Sequence, residues 1–193
     1  MSRRTLVVLG GVFVMLLGIV FLQGSGVFSQ PIAAPTPTPG EPEAQTVFGG
    51  EFTAQEIAAI RVGNPASGEE LLLVRGDDGA WTAPDLQGEL DAETVAVIAG
   101  TMELLPYSGT VPITGETELA AFGLADNNRS VLSVQVLLAN QEAHALLFGG
   151  LTPIQDAYYS IVDDRDLIYL IDPRPVEFLR LQLRNPPVNL TSD

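Results

Sequence analysis

The sequence contains no cysteine. That excludes disulfides, thiolate metal sites, a cysteine nucleophile and a lipid-modified cysteine anchor. It contains no lysine either, so all nine basic residues are arginines. There is one histidine, His144, and one tryptophan, Trp81. A single imidazole cannot build a histidine zinc cluster. It leaves a Ser–His–Asp arrangement one centre only, with Ser133 or Ser160 as the hydroxyl. No nucleophile-elbow sequence flanks the AHALLF stretch that holds it. His144 therefore reads as a structural or surface imidazole. The chain reads as non-enzymatic, with no catalytic residue, no cofactor and no metal site. Acid is missing from the first forty residues: all 24 carboxylates lie at or beyond Glu41, where only seven arginines accompany them, leaving −17. Such a surface repels nucleic acid and anionic lipid headgroups. Solubility is the simpler account of that charge, and attraction to a basic partner or to cations is the alternative.

What the chain does have is an uncharged run of eighteen residues, Thr5 to Leu22, directly behind Arg3 and Arg4. As a helix it would cover roughly 27 Å, close to the hydrocarbon thickness of a bilayer. A secretory signal has a shorter apolar core, so the run favours an uncleaved anchor over a signal cleaved near Val27-Phe28-Ser29. The positive flank places the N-terminus in the cytoplasm and the C-terminal bulk outside it, a single-pass protein of the cell membrane. The expected division is an anchor (or signal) over 1–23, a proline-rich linker over 24–50, an extracytoplasmic domain over 51–184 and a flexible tail over 185–193. Pro35, Pro37 and Pro39 favour extended polyproline geometry, which makes the linker a semi-rigid spacer.

Within the domain, Ile57 to Val62 and Leu71 to Arg75 read as strands around a Gly/Asn/Pro/Ser turn. Glu51 to Glu56 reads as a short lead-in strand, and Ala80 to Thr82 as the strand after the Asp77-Asp78-Gly79 turn. Trp81 reads as a core anchor. Asp91 is a good N-cap, and Leu90 with Val95 sits at the positions of a hydrophobic staple. Val95, Ile98, Met102 and Leu105 give one apolar helix face, ended by Pro106. Tyr107 to Glu116 reads as a loop, broken by Gly109, Pro112 and Gly115. A short helical turn over Glu118 to Phe122 follows, capped by Gly123. From Val131 to Ala139, Leu132, Val134, Val136 and Leu138 alternate against Ser133 and Gln135, a half-buried strand. Ala143 to Phe148, Tyr158 to Val162 and Leu167 to Ile171 are further strands. Asp172 and Pro173 open a closing helix whose apolar side is Val176, Leu179 and Leu183. Short links favour antiparallel pairing. The expected fold is α+β, an antiparallel sheet with two helices packed on one face, behind one transmembrane helix.

Several of these pieces, in this order and spacing, resemble the bacterial domain-of-unknown-function family 4340. They are Ile57 to Val62, a turn, Leu71 to Trp81, then Leu119-Ala120-Ala121-Phe122-Gly123-Leu124. A strand pair ending in Phe148-Gly149-Gly150 comes next, then Thr152-Pro153, Tyr158-Tyr159 and Ile168-Tyr169-Leu170. The likeness covers most of Ile57 to Leu183. One departure is Asp126-Asn127-Asn128-Arg129, where the family commonly has proline soon after its Gly-Leu pair. The resemblance implies a membrane-tethered extracytoplasmic module, an accessory of transporter-type membrane complexes, and it supplies no catalytic residues.

Two clusters remain. Asp163, Asp164 and Asp166 offer oxygens to a hard cation, but the ligand spacing, central glycine and distant glutamate of a calcium loop are lacking, and hairpin turns favour aspartate for backbone reasons. Tyr158 and Tyr159 are neighbours on a strand, so one should enter the core and the other should face outward. With Tyr169 on the partner strand, the outward one suggests an aromatic patch for a protein partner. Tyr158, Tyr159 and Tyr169 are thus the candidate partner-binding residues. The expected function is a binding or scaffold module that holds another membrane or envelope protein. The alternatives are a small-ligand or solute-binding accessory domain and, behind it, a hydrolase.

Overall fold

A computed structural model of the chain describes residues 45–125 and 130–189. The expected anchor over Thr5–Leu22 and the spacer around Pro35–Pro39 lie outside them, as do Asp126–Arg129. Among the described residues no helix is long and apolar enough to cross a membrane.

The described residues form nine strands, β1 (Gln45–Thr46), β2 (Ile57–Gly63), β3 (Glu70–Arg75), β4 (Trp81–Thr82), β5 (Pro106–Pro112), β6 (Leu132–Leu138), β7 (Ala143–Leu151), β8 (Tyr158–Val162) and β9 (Leu167–Ile171). They make one sheet in the order β1-β5-β9-β8-β7-β6-β2-β3-β4, with every pair antiparallel. Two α-helices, α1 (Ala92–Glu103) and α2 (Pro173–Arg184), and a 3₁₀ turn at Leu119–Phe122 complete an α+β fold.

The helices start where the caps dictate. The Asp91 carboxylate accepts the Glu93 amide at 3.1 Å and the Thr94 hydroxyl at 2.6 Å. The Thr94 hydroxyl is the main reason the Asp91 carboxyl is held below its ordinary value. Asp172 accepts the Arg174 amide at 2.8 Å, and its carboxyl is lowered chiefly by the Arg174 side chain. Pro173 fills the first helical position, where no amide donor is needed. Val95, Ile98 and Met102 of α1 and Val176 and Leu179 of α2 are buried in one cluster with Ile60, Val62, Leu71, Leu73, Leu132, Val134, Val136, Leu146 and Phe148 of the sheet. Burial of such side chains is worth about 1.5–3 kcal/mol each, the main term favouring the fold.

Four expectations change. Glu51 to Glu56 is a turn: the Thr53 amide and hydroxyl donate to Glu56 at 2.8 and 2.9 Å, and Glu103 at the end of α1 accepts the Ala54 amide at 2.9 Å. The lead-in strand is β1 instead, and Val47 and Phe48 behind it are buried, so the folded unit begins before residue 51. The expected loop after Pro106 is strand β5, paired with β9 and β1. Its prolines stand at its first and last residues, and Gly109 sits at a register shift opposite Leu170, positions where neither breaks a ladder. The start of the expected tail is docked: the Asp91 amide donates to Pro187 O and the Asn189 amide to Glu89 O, both at 2.8 Å. Finally, Trp81 is half-buried on edge strand β4, with the Arg75 guanidinium 4.7 Å above its ring. It flanks the core instead of anchoring it.

Candidate functional site

Register sorts every strand residue onto one of two faces. Leu73–Ile60–Val136–His144 is a row across β3, β2, β6 and β7, and Leu71–Val62–Val134–Leu146–Val162 is the next. These rows meet the helices. The opposite face carries Leu72–Arg61–Gln135–Ala145, then Val74–Ala59–Leu137–Ala143, and then Glu70–Gly63–Ser133–Leu147–Ile161.

The second face is covered unevenly. Over β7 and β8 it carries the 3₁₀ turn. Gly123, in the left-handed region at φ 73°, ends that turn against the Gly149–Gly150 backbone. A Cβ on Gly149 would lie 2.2 Å from Phe122 O and 3.0 Å from Leu124 Cγ, so only glycine lets the turn sit there. Over β3, β2, β6 and the start of β7, no element of the described residues lies on the face. Leu137 is 42% exposed, and Arg61, Gln135, Ala143 and Ala145 are exposed too. Arg61 is ion-paired with Glu70 across this surface. Two shallow clefts of about 560 and 430 Å³ lie here and share Arg61, Gln135 and Ala145 as walls, so they are parts of one trough. Its floor is small and apolar (Ala59, Ala143, Ala145); Glu69 and Glu70 stand on its β3 side and Asp164, beyond β8, on the opposite side.

His144 lies on the helix-facing side. Its Nδ1 is 2.9 Å from Asp163 Oδ2, while Asp163 Oδ1 accepts the Ala145 amide at 2.6 Å. The ring stacks on Phe52, centroids 5.4 Å apart, and lies 5.0 Å from Phe48. The serines point elsewhere: Ser133 Oγ donates to Gly63 O and Ser160 Oγ to Ile161 O. The histidine thus joins the hairpin aspartate to the Phe48–Phe52 segment. Arg165 fastens the same segment, donating to Val47 O at 2.8 Å and to Glu51 at 2.8 and 3.0 Å.

The three tyrosines do not share one surface. Tyr158 is 4% exposed on the helix side, and its hydroxyl donates to Glu177 of α2. Burial first, and the Glu177 carboxylate second, raise its pKa. Burial opposes ionisation of Glu177, yet the Tyr158 hydroxyl and Arg180 together hold its carboxyl below the ordinary value. Tyr169, 5% exposed, is on that side also, edge-on to Tyr107 at 5.2 Å, and its hydroxyl accepts from Arg165 at 3.2 Å. Tyr159 alone is on the second face, half-buried and edge-on to Phe122 at 4.8 Å. The expected patch joining an outward tyrosine to Tyr169 is therefore not formed, because Tyr169 pairs with Ser160 and points inward with it.

No family model, curated protein or solved structure matches this chain.

The open-face residues that sequence reading passed over are Ala59, Arg61, Leu72, Leu137, Ala143 and Ala145. The small ones stand in IAAIRV and AHALLF, the leucines in LLLVR and VLSVQVLLA. Their signal stays silent until neighbouring strands are put in register.

Proposed function

We propose that this protein is a non-enzymatic, membrane-anchored extracytoplasmic module that binds another membrane or envelope protein, as an accessory part of a transporter-type assembly. The observation that carries the reading is the open trough over β3, β2, β6 and β7. It is a sheet face of small and apolar side chains around Gln135 and the Arg61–Glu70 pair, Leu137 prominent among them, with no element of the described chain laid on it. Such faces are the common ground of protein interfaces, where a few large side chains carry most of the energy. The Thr5–Leu22 run supports the membrane attachment, and the order of motifs that resembles family 4340 supports the extracytoplasmic setting. The tyrosine contribution narrows to Tyr159, the one of the three on the same face as the trough. A solute-binding role calls for a deeper enclosure than these open clefts.

The test is capture from gently solubilised membranes with the full chain. Leu137→Arg should abolish co-purification of the partner. Val97→Arg, on the exposed side of α1, should leave it intact. Equal capture by both variants, each still folded by thermal unfolding, would remove the trough from the function.

A further inference from the structure

We infer that the occupant of the trough is an amphipathic α-helix of the partner, with one apolar stripe flanked by arginine or lysine. The inference rests on the reading of this face as the binding surface, and adds what lies on it.

Three features of the molecule select that occupant. The first is the backbone. A strand docks by pairing with a free sheet edge, but β2, β6 and β7 are each paired on both sides. The middle of the trough therefore offers side chains only. The second is size. Neighbouring strands lie about 4.8 Å apart, so β3 to β7 span roughly 14 Å. One helix with its side chains is about 10–12 Å wide. The trough seats one helix and has no room for two. Along the strands it runs roughly 17 Å, the length of about eleven helical residues or three turns. The floor residues Ala59, Ala143 and Ala145 let a helix approach closely, while Leu72 and Leu137 stand as walls for its apolar stripe. The third is charge. Glu69 stands on the β3 side, Asp164 on the opposite side beyond β8, and Glu142 just before β7, in a chain that carries −17 beyond Glu41. A second copy would bring like-charged rims together. A helix with basic flanks would meet complementary charge.

The experiment uses the full chain in its own membranes, with a photo-crosslinking amino acid placed at Leu72 or at Leu137 and the cross-linked peptides sequenced. The expected result is that both positions mark one short partner segment. The marked residues should be three, four or seven apart, with Lys or Arg on the flanks. Glu69→Gln with Asp164→Asn should lower the cross-link yield about two- to fivefold per charge at low salt, less at high salt. Marks two residues apart, marks on a second copy of this chain, or a yield indifferent to the two neutralisations would overturn the helix. If that happens while Leu137→Arg still abolishes capture, the binding face survives and only its occupant is wrong. If neither position cross-links and Leu137→Arg captures normally, both readings fall.

Discussion

The two faces of this sheet are made by the same strands and differ by one residue of offset. Leu73, Ile60 and Val136 stand in a row under the helices, fully out of water. Leu72, Arg61 and Gln135, their immediate neighbours, stand in a row with no helix of the described residues over them. The first row is large and branched and is fitted to α1 and α2. The second mixes a leucine, an ion-paired arginine and an amide, and next to it come alanines. The contrast teaches that alternation divides the sheet: one face packs the core and the other bears the trough. A slip of one residue in register would exchange the two.

The contrast can be broken most forcefully from the covered side. Phe148→Ala should cost about 3–5 kcal/mol in equilibrium unfolding of the full chain, the range for large buried aromatics. Leu137→Ala on the open side should stay within about 0.5 kcal/mol. Next in size is Gly149→Ala. Its new methyl would collide with Phe122 O and displace the 3₁₀ turn, so a loss of about 1–3 kcal/mol is expected, together with faster proteolysis near Gly123. Trp81→Ala, at the sheet edge, should cost about 1–2 kcal/mol, well short of a core aromatic; a loss as large as that of Phe148→Ala would show that the edge is part of the core.

The smallest effect sharpens the covered face through pH. Asp91, Asp172 and Glu177 have folded-state pKa values below their ordinary 3.8, 3.8 and 4.5. The stability they contribute is present above about pH 4.5 and is lost as pH falls through the depressed folded values. Tyr158 is shifted the other way, above its ordinary 10.0, so its contribution is present below pH 10 and is lost as pH rises through the folded value. Tyr158→Phe should flatten the alkaline fall in midpoint while leaving the acid fall from Asp91 and Asp172 in place. An unchanged alkaline limb would mean that the hydroxyl is not held against Glu177.

Much of the fold was legible where a single element carries its own signal. The Leu132–Val134–Val136–Leu138 alternation, the Asp91 cap with Val95, Ile98 and Met102 behind it, and the Asp172-Pro173 start of α2 are local facts of the chain. The misreadings came where a residue's meaning depends on a distant neighbour. Pro106, Gly109 and Pro112 look like loop residues until β9 supplies a partner at a register shift. Gly149-Gly150 looks like the end of a strand until the Phe122 carbonyl is laid against it. Glu51–Glu56 has the residues of a strand, but the Glu56 carboxylate accepts the Thr53 amide locally and Glu103 of α1 accepts the Ala54 amide. The site followed the same logic. That Tyr158 and Tyr159 face opposite ways is readable from adjacency, but Tyr169 joins the inner one because of pairing across strands. The trough needs β2, β6 and β7 in register before Ala59, Leu137 and Ala143 become neighbours.

If the second face binds a partner, its uncovered half is exposed in the isolated protein and covered in the membrane. The chain has no cysteine, so one introduced thiol is a clean reporter. Leu137→Cys should react quickly with a membrane-impermeant maleimide in the purified full chain and at least tenfold more slowly in native membranes. Val97→Cys should react equally in both. Equal reactivity of Leu137→Cys in the two settings would mean that nothing lies on the trough, and would contradict the account.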